Sequence, residues 1–116
     1  MVRILFPLLD DSNIDSKISE HFGHAPFFGI YDEVDNSLFV VRNELKHNDP
    51  LKSAIYQIRE IFNPDIIFVK SIGGKAIEEA NKMDIEIKTG NYDLISEVVD
   101  NLDRLDLKVE DCGHEH

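Results

Sequence analysis

Basic residues are scarce in this sequence: 12 Lys and Arg stand against 23 Asp and Glu, a formal net charge of -11 over 116 residues. Nucleic-acid affinity comes largely from Lys and Arg displacing counterions, so general DNA or RNA binding is excluded as a main role. The same field favours cations, although acidic composition commonly serves solubility alone. Cysteine is rarer still. Cys112 stands alone, which excludes an intrachain disulfide and fits a reducing cytoplasm. Long apolar runs are missing too: the opening "MVRILFPLLDDSN" is broken by Pro7 and Asp10, too early for a signal peptide or a membrane span. A serine nucleophile elbow, a cysteine–histidine pair with an orienting partner, an internal repeat and a low-complexity linker are all wanting, and no catalytic role is read.

What remains is an ordinary globular composition, 42% apolar and 30% charged, of a length that supports one core. One domain is expected over residues 1–110, followed by a short tail, 111–116. "VRILFPLL" (2–9) is nearly continuously apolar, as a strand buried on both faces requires. "PFFGIYDE" and "SLFVVRNEL" form two further strands joined by the turn-forming "VDNS". In "HNDPLKSAIYQIREIF" Asp49 can cap a helix, Pro50 suits its first position, and Leu51, Ala54, Ile55, Ile58, Ile61 and Phe62 recur on one face. Burying each large apolar side chain there contributes about 1.5–3 kcal/mol, so packing fixes this helix. "IIFVK" (66–70) reads as a buried parallel strand. "SIGGKAIEEANKM" reads as a helix with Ala76, Ile77, Ala80 and Met83 inward, "IEIKTG" as a strand, and "NYDLISEVVDNL" as a helix capped by Asn91. "DLKVED" adds a last extended segment. The order β-β-β-α-β-α-β-α, with right-handed crossovers, implies an α/β fold: a mixed five-stranded sheet covered by three helices.

Four places carry candidate chemistry. In "SEHFGHAPFF" (19–28) His21 and His24 flank Phe22 and Gly23 on a loop leaving a buried strand. Imidazole suits Zn, Fe, Ni and Cu, but two histidines do not complete a metal site. The alternative is a loop in which His21 hydrogen-bonds locally while Phe22, Phe27 and Phe28 fill core. In the tail, Cys112, His114 and His116 place three metal donors in five residues, a soft set suited to iron–sulfur species, against the alternative of a frayed end. "SIGGKAIEE" opens a helix with Gly73 and Gly74, and its N-H groups with Lys75 can meet an anion, although the spacing is neither a dinucleotide fingerprint nor a Walker loop. Asp10, Asp11, Asp15, Glu20 and Asp32 could hold Mg²⁺ for phosphodiester hydrolysis, or simply form a solvated acidic surface.

"DSKISEHFGHAPFFGIYD" resembles the hallmark of the dinitrogenase iron-molybdenum cofactor biosynthesis family, the group containing NifX, NafY and the C-terminal domain of NifB. Ser19, His21, Phe22, Gly23, Ala25, Pro26 and Phe28 match its Ser-x-His-Phe-Gly-Arg-Ala segment and aromatic strand, and His24 stands where arginine is usual. In "DIIFVKSIGGKA" Ile72, Gly73 and Ala76 fit the family's second motif, while Gly74 and Lys75 replace its Pro-Arg pair. The cysteine-containing glycine-rich stretch that many small members carry before the first helix is replaced by "KHNDPLKSA", with His47 beside it. The resemblance implies a ribonuclease H-like three-layer fold and non-enzymatic carriage of an iron-sulfur or iron-molybdenum cluster between donor and acceptor proteins in the cytoplasm. His21 is the leading contact, Phe22 and Gly23 shape its loop, and the Cys112, His114 and His116 tail assists. A cofactor-free interaction or regulatory module on the same scaffold is the second reading, and a Mg-dependent hydrolase the third.

Overall fold

The computed structural model describes residues 2–45 and 53–107. Its elements follow the expected order: β1 (Arg3–Leu8), β2 (Phe27–Asp32), β3 (Ser37–Arg42), α1 (Ala54–Phe62), β4 (Ile66–Phe68), α2 (Gly74–Lys82), β5 (Glu86–Thr89) and α3 (Ile95–Val99). A two-residue β6 (Asp106–Leu107) joins the five expected strands at one edge, where "DLKVED" begins. The sheet runs β3-β2-β1-β4-β5-β6. β1 is antiparallel to β2 and parallel to β4, so the all-apolar strand lies inside the sheet, where both faces are covered.

Alternation along the strands builds two cores. Leu5, Phe28, Ile30, Ile67 and Ile87 face Ile55 and Ile58 of α1 and Ile77 and Ala80 of α2. Ile4, Phe6, Leu8, Tyr31, Ile66 and Phe68 face Ile95 and Val98 of α3. The result is helices on both faces of a mixed sheet. Gly29 lets α3 approach, because a Cβ there would lie 2.8 Å from Leu8 Cδ1 and 3.2 Å from Ile95 Cδ1.

Three local expectations need correction. α1 is capped by Ser53, whose Oγ accepts the Tyr56 N-H at 3.2 Å. The expected cap Asp49, with Pro50 and Leu51, lies outside the described residues. Ile61, placed by spacing on the buried face, is 60% exposed, because α1 turns the stripe of Ile55, Ile58 and Phe62 to the core and Ile61 lies to one side of it. At α3 the cap position is Leu94 and not Asn91. Glu97 reaches back to accept the N-H groups of Asp93 and Leu94 at 2.9 and 3.0 Å, which satisfies the first turn from within. The tail with Cys112, His114 and His116, and His47, lie outside the described residues. No helix among the described residues is long and apolar enough to cross a membrane.

Candidate functional site

The segment from Leu9 to Pro26 leaves the carboxyl end of β1 and returns at the start of β2, so it crosses the edge of the sheet where β4 also ends. Crevices at the carboxyl ends of parallel strands are where open α/β sheets bind ligands. The segment is pinned at both sides. Ser19 N-H donates to the Pro7 carbonyl of β1 at 2.7 Å, and Ile18 N-H donates to the Asp93 carbonyl ahead of α3 at 2.8 Å. Asp10 holds its first turn, accepting the Lys17 N-H at 2.8 Å and the Ser12 hydroxyl at 2.7 Å. These bonds, that from the Lys17 backbone first, hold the Asp10 carboxyl below its ordinary value. The resulting stabilisation is present above the unfolded-state value and is lost as pH falls through the lowered folded one.

The histidine loop is then shaped by two buried anchors and two polar clamps. Phe22 is 7% exposed and packs on Phe28 with ring centroids 6.4 Å apart, and Ala25 is buried beside it. Ser19 Oγ accepts the His21 N-H at 3.0 Å. Asn43, just past β3, donates from Nδ2 to the Gly23 carbonyl at 3.0 Å and to the Ala25 carbonyl at 2.7 Å, while its Oδ1 accepts the Leu45 N-H at 2.9 Å. With Phe22 drawn inward, His21 and His24 on either side of it stand exposed.

Across from this loop lies the turn between β4 and α2. Ser71, Ile72, Gly73 and Ala76 line one open hollow of about 250 Å³ together with Glu20, His21, Phe22, Gly23 and His24. Two motifs about fifty residues apart in sequence thus share one surface. Gly74, also anticipated as a contact, opens α2 but is not among the residues lining the hollow, and neither is Lys75. Gly73 is the N-cap residue of α2 and provides no side-chain cap. Its φ of -75° and ψ of 153° suit any residue, and a Cβ there would meet nothing within 4 Å. Neither backbone nor packing requires glycine at this position. Its effect is to leave the first turn of α2, the positive end of the helix dipole, without a side-chain cap.

Chemically, the hollow offers exposed imidazole on one wall and, on the other, the turn of Ser71, Ile72 and Gly73 with Ala76 of the first turn of α2. Its volume lies just under the roughly 300 Å³ at which drug-sized pockets begin, which suits a compact anionic group or one face of a larger one. It is not a closed cage for a bare ion. Among the described residues no three His, Cys, Asp or Glu side chains gather closely enough to hold a metal. Of the acidic set, Asp10 holds its turn, Asp32 accepts the Val34 N-H at 3.0 Å and pairs with Arg3 at 3.9 Å, Glu20 lines the hollow, and Asp11 and Asp15 are exposed. Asn43 and Asp93 escaped the sequence reading. Asn43 acts across 18 to 20 residues, and Asp93 is placed by an ion pair to Lys70 at 2.5 Å, whose hydrogen bond lowers the Asp93 carboxyl. Neither leaves a local signal.

Solved structures with the same architecture are known. The crystal structure of PH0822 superposes with a TM-score of 0.73 at 29% identity, over 91% of this chain and 94% of that one. The NMR structure of a Thermotoga protein provisionally named a NifB protein, of the DUF35 family, gives 0.78 at 18% identity over 99% and 100%. The apo form of the orange protein from Desulfovibrio gigas gives 0.75 at 15% identity over 95% of each chain. The last two likenesses speak to fold alone. No curated protein matches the sequence. The sequence profile described as "Dinitrogenase iron-molybdenum cofactor" matches residues 3–105, a span that takes in both walls of the hollow and all three helices, and the chain belongs to that family.

Proposed function

We propose that the protein binds an iron-sulfur or iron-molybdenum type cluster, or a precursor of one, as cargo in the hollow between the His21 loop and the start of α2, and passes it from a donor to an acceptor protein without catalytic turnover. One observation carries the reading: the two motifs that mark the family, around His21 and around Gly73, line the same open hollow. His21 is the group most free to ligate, since it is exposed and its backbone, not its ring, is held by Ser19. Imidazole is a competent iron ligand, and uncapped helix N-H groups favour a negatively charged cluster. His24 would share the rim, while Phe22 and Gly23 set the loop's shape. Cys112, His114 and His116 are proposed as further donors, since an exposed cluster needs more ligands than this loop supplies. The ribonuclease H-like description of the fold belongs to the same proposal and is supported by the mixed sheet with helices on both faces.

Anaerobic titration with iron-sulfur cluster, followed by visible absorption, tests the reading. Wild type should take up cluster stoichiometrically. His21→Ala should weaken uptake about ten-fold or more, the scale on which disturbing a metal site is felt, without altering the far-UV circular dichroism. Absence of uptake by wild type, or equal uptake by His21→Ala and a variant lacking residues 112–116, would falsify it. Glu20, His21 and His24 share the hollow without gathering closely enough to hold a metal, which favours a second reading, a cofactor-free interaction module. Stoichiometric iron in protein isolated without oxygen argues against that module. A stable partner co-purifying with metal-free protein argues for it.

A further inference from the structure

Edge strands present a row of unpaired backbone groups, and proteins that must not associate blunt them with charge, proline, bulges or brevity. β3 carries none of these devices along its centre. It is six residues long, "SLFVVR", pairs with β2 in an unbroken register from Phe27↔Arg42 to Asp32↔Ser37, and among the described residues no strand pairs with its other side, although the turn at Asn13–Asp15 comes near it. Its one charge, Arg42, is at the end. Asn43 N-H donates inward to the Pro26 carbonyl at 3.0 Å. By alternation the groups of Ser37, Phe39 and Val41 also point to β2, which leaves those of Leu38, Val40 and Arg42 directed outward.

Large apolar side chains beside this edge are exposed. Phe39 is 57% exposed and shares a face with Val41, which packs on the core under α1 and α2. Next to it, Val41, Leu45, Phe62 and the 60% exposed Ile61 line a hollow of about 210 Å³, with Arg42 and Glu44 also in its lining. A cross-strand neighbour would cover both features.

We infer that β3 is a self-association edge, on which a second copy of this chain adds its own β3 antiparallel to continue the sheet across a two-fold axis. Parity restricts the register, because only Leu38, Val40 and Arg42 can exchange outward hydrogen bonds. Centring the axis on Phe39 sets Leu38 against Val40 of the second copy and Phe39 against Phe39 at a non-hydrogen-bonded position, where side chains approach most closely. Arg42 then lies across from Asn36 and beside Asp35 of the other copy, a charge complement repeated at both ends. Centring on Val40 would instead set Arg42 against Leu38 and leave it without an acidic neighbour. The inference is independent of the cargo reading.

Each copy carries a formal charge of -11, so the long-range field opposes association. Shortening the screening length, from about 10 Å at 0.1 M salt to about 3 Å at 1 M, should therefore strengthen the dimer, the opposite of an association held by ion pairs alone. Sedimentation equilibrium of the full chain over concentration and salt reads this directly. A monomer–dimer equilibrium tightening with salt is expected. Phe39→Lys, which would set like charges face to face, should weaken it by about ten-fold or more. Val40→Pro should do likewise, since the N-H it removes points outward, and native circular dichroism of that variant shows that the packing of Val40 on the α3 side is not what is read. In a Cys112→Ser background, Phe39→Cys should oxidise readily to a disulfide dimer while Ser37→Cys, out of line by four residues in this register, should not. Monomer at every salt up to about 1 mM protein, or a dimer indifferent to both Phe39→Lys and Val40→Pro with native circular dichroism, would overturn the inference. A Ser37→Cys dimer forming in preference to the Phe39→Cys one would overturn it equally.

Discussion

At the scale of single residues, the histidine loop owes its shape less to the histidines than to Asn43, whose side chain supplies two donors and one acceptor to Gly23, Ala25 and Leu45. Removing it orphans half-buried backbone groups, a cost of about 1–3 kcal/mol. Asn43→Ala should lower stability by that amount in urea unfolding and loosen cargo binding with it. Asn43→Asp is the sharper probe. At neutral pH its carboxylate would face two carbonyl oxygens with nothing to donate, so the penalty should exceed that of alanine. That environment disfavours the charged form and raises the new carboxyl above its unfolded value near 3.9. The penalty should therefore shrink as pH falls through the raised value, where a protonated carboxyl donates again. A penalty independent of pH would show that the Asn43 side chain does not hold these carbonyls. The histidines themselves are legible in the sequence, because the "HFGH" spacing brackets an aromatic that must turn inward. Asn43 is not, because nothing near it announces a partner on the far side of a hairpin.

At the scale of elements, the start of α2 is where function and stability can be separated. Glycine is a tolerable N-cap, serine a slightly better one by a few tenths of a kcal/mol, and replacing glycine where the backbone is already extended gains about 0.4–1 kcal/mol through the unfolded chain. Gly73 sits in such a conformation, with room for a side chain. Gly73→Ser should thus raise the melting temperature by about 4 °C. If the uncapped N-terminus of α2 holds the cargo, the same change should weaken binding, because the added hydroxyl takes up a first-turn N-H and narrows the hollow. Higher stability with unchanged cluster affinity would remove α2 from the binding surface. Helix and strand identities are readable from periodicity throughout, whereas their starts are not. At α3 the cap depends on Glu97 folding back onto its own first turn, a choice made by side-chain geometry and not by residue type at the boundary.

At the scale of the whole molecule, the order of elements follows from the sequence, but the order of strands in the sheet does not. β1 pairs with β4 across about sixty residues, Ile4 with Ile66 and Leu5 with Ile67, and only the apolar continuity of "ILFPLL" hints that it lies inside. That central placement makes one sheet serve two cores. Leu5 and Phe6 are chain neighbours, yet Leu5 packs under α1 and α2 while Phe6 packs under α3. Neither core can dissolve without exposing the same strands, so the molecule should unfold in a single transition although its apolar residues form two clusters. The absence of tryptophan allows a clean test, because three tyrosines are the only strong fluorophores. Tyr31 and Tyr92 belong to the α3 side, and Tyr56 lies on α1. A Tyr56→Phe variant therefore reports the first side, and a Tyr31→Phe, Tyr92→Phe variant the second. After each is scaled to its own stability by far-UV circular dichroism, fluorescence and dichroism midpoints should coincide in both. Leu5→Ala and Phe6→Ala, introduced singly, should each cost about 2–5 kcal/mol and lower both sides' midpoints together. If Phe6→Ala instead shifted the α3-side signal and left Tyr56 unmoved, the two faces would be separate folding units, and the central strand would not be what binds them.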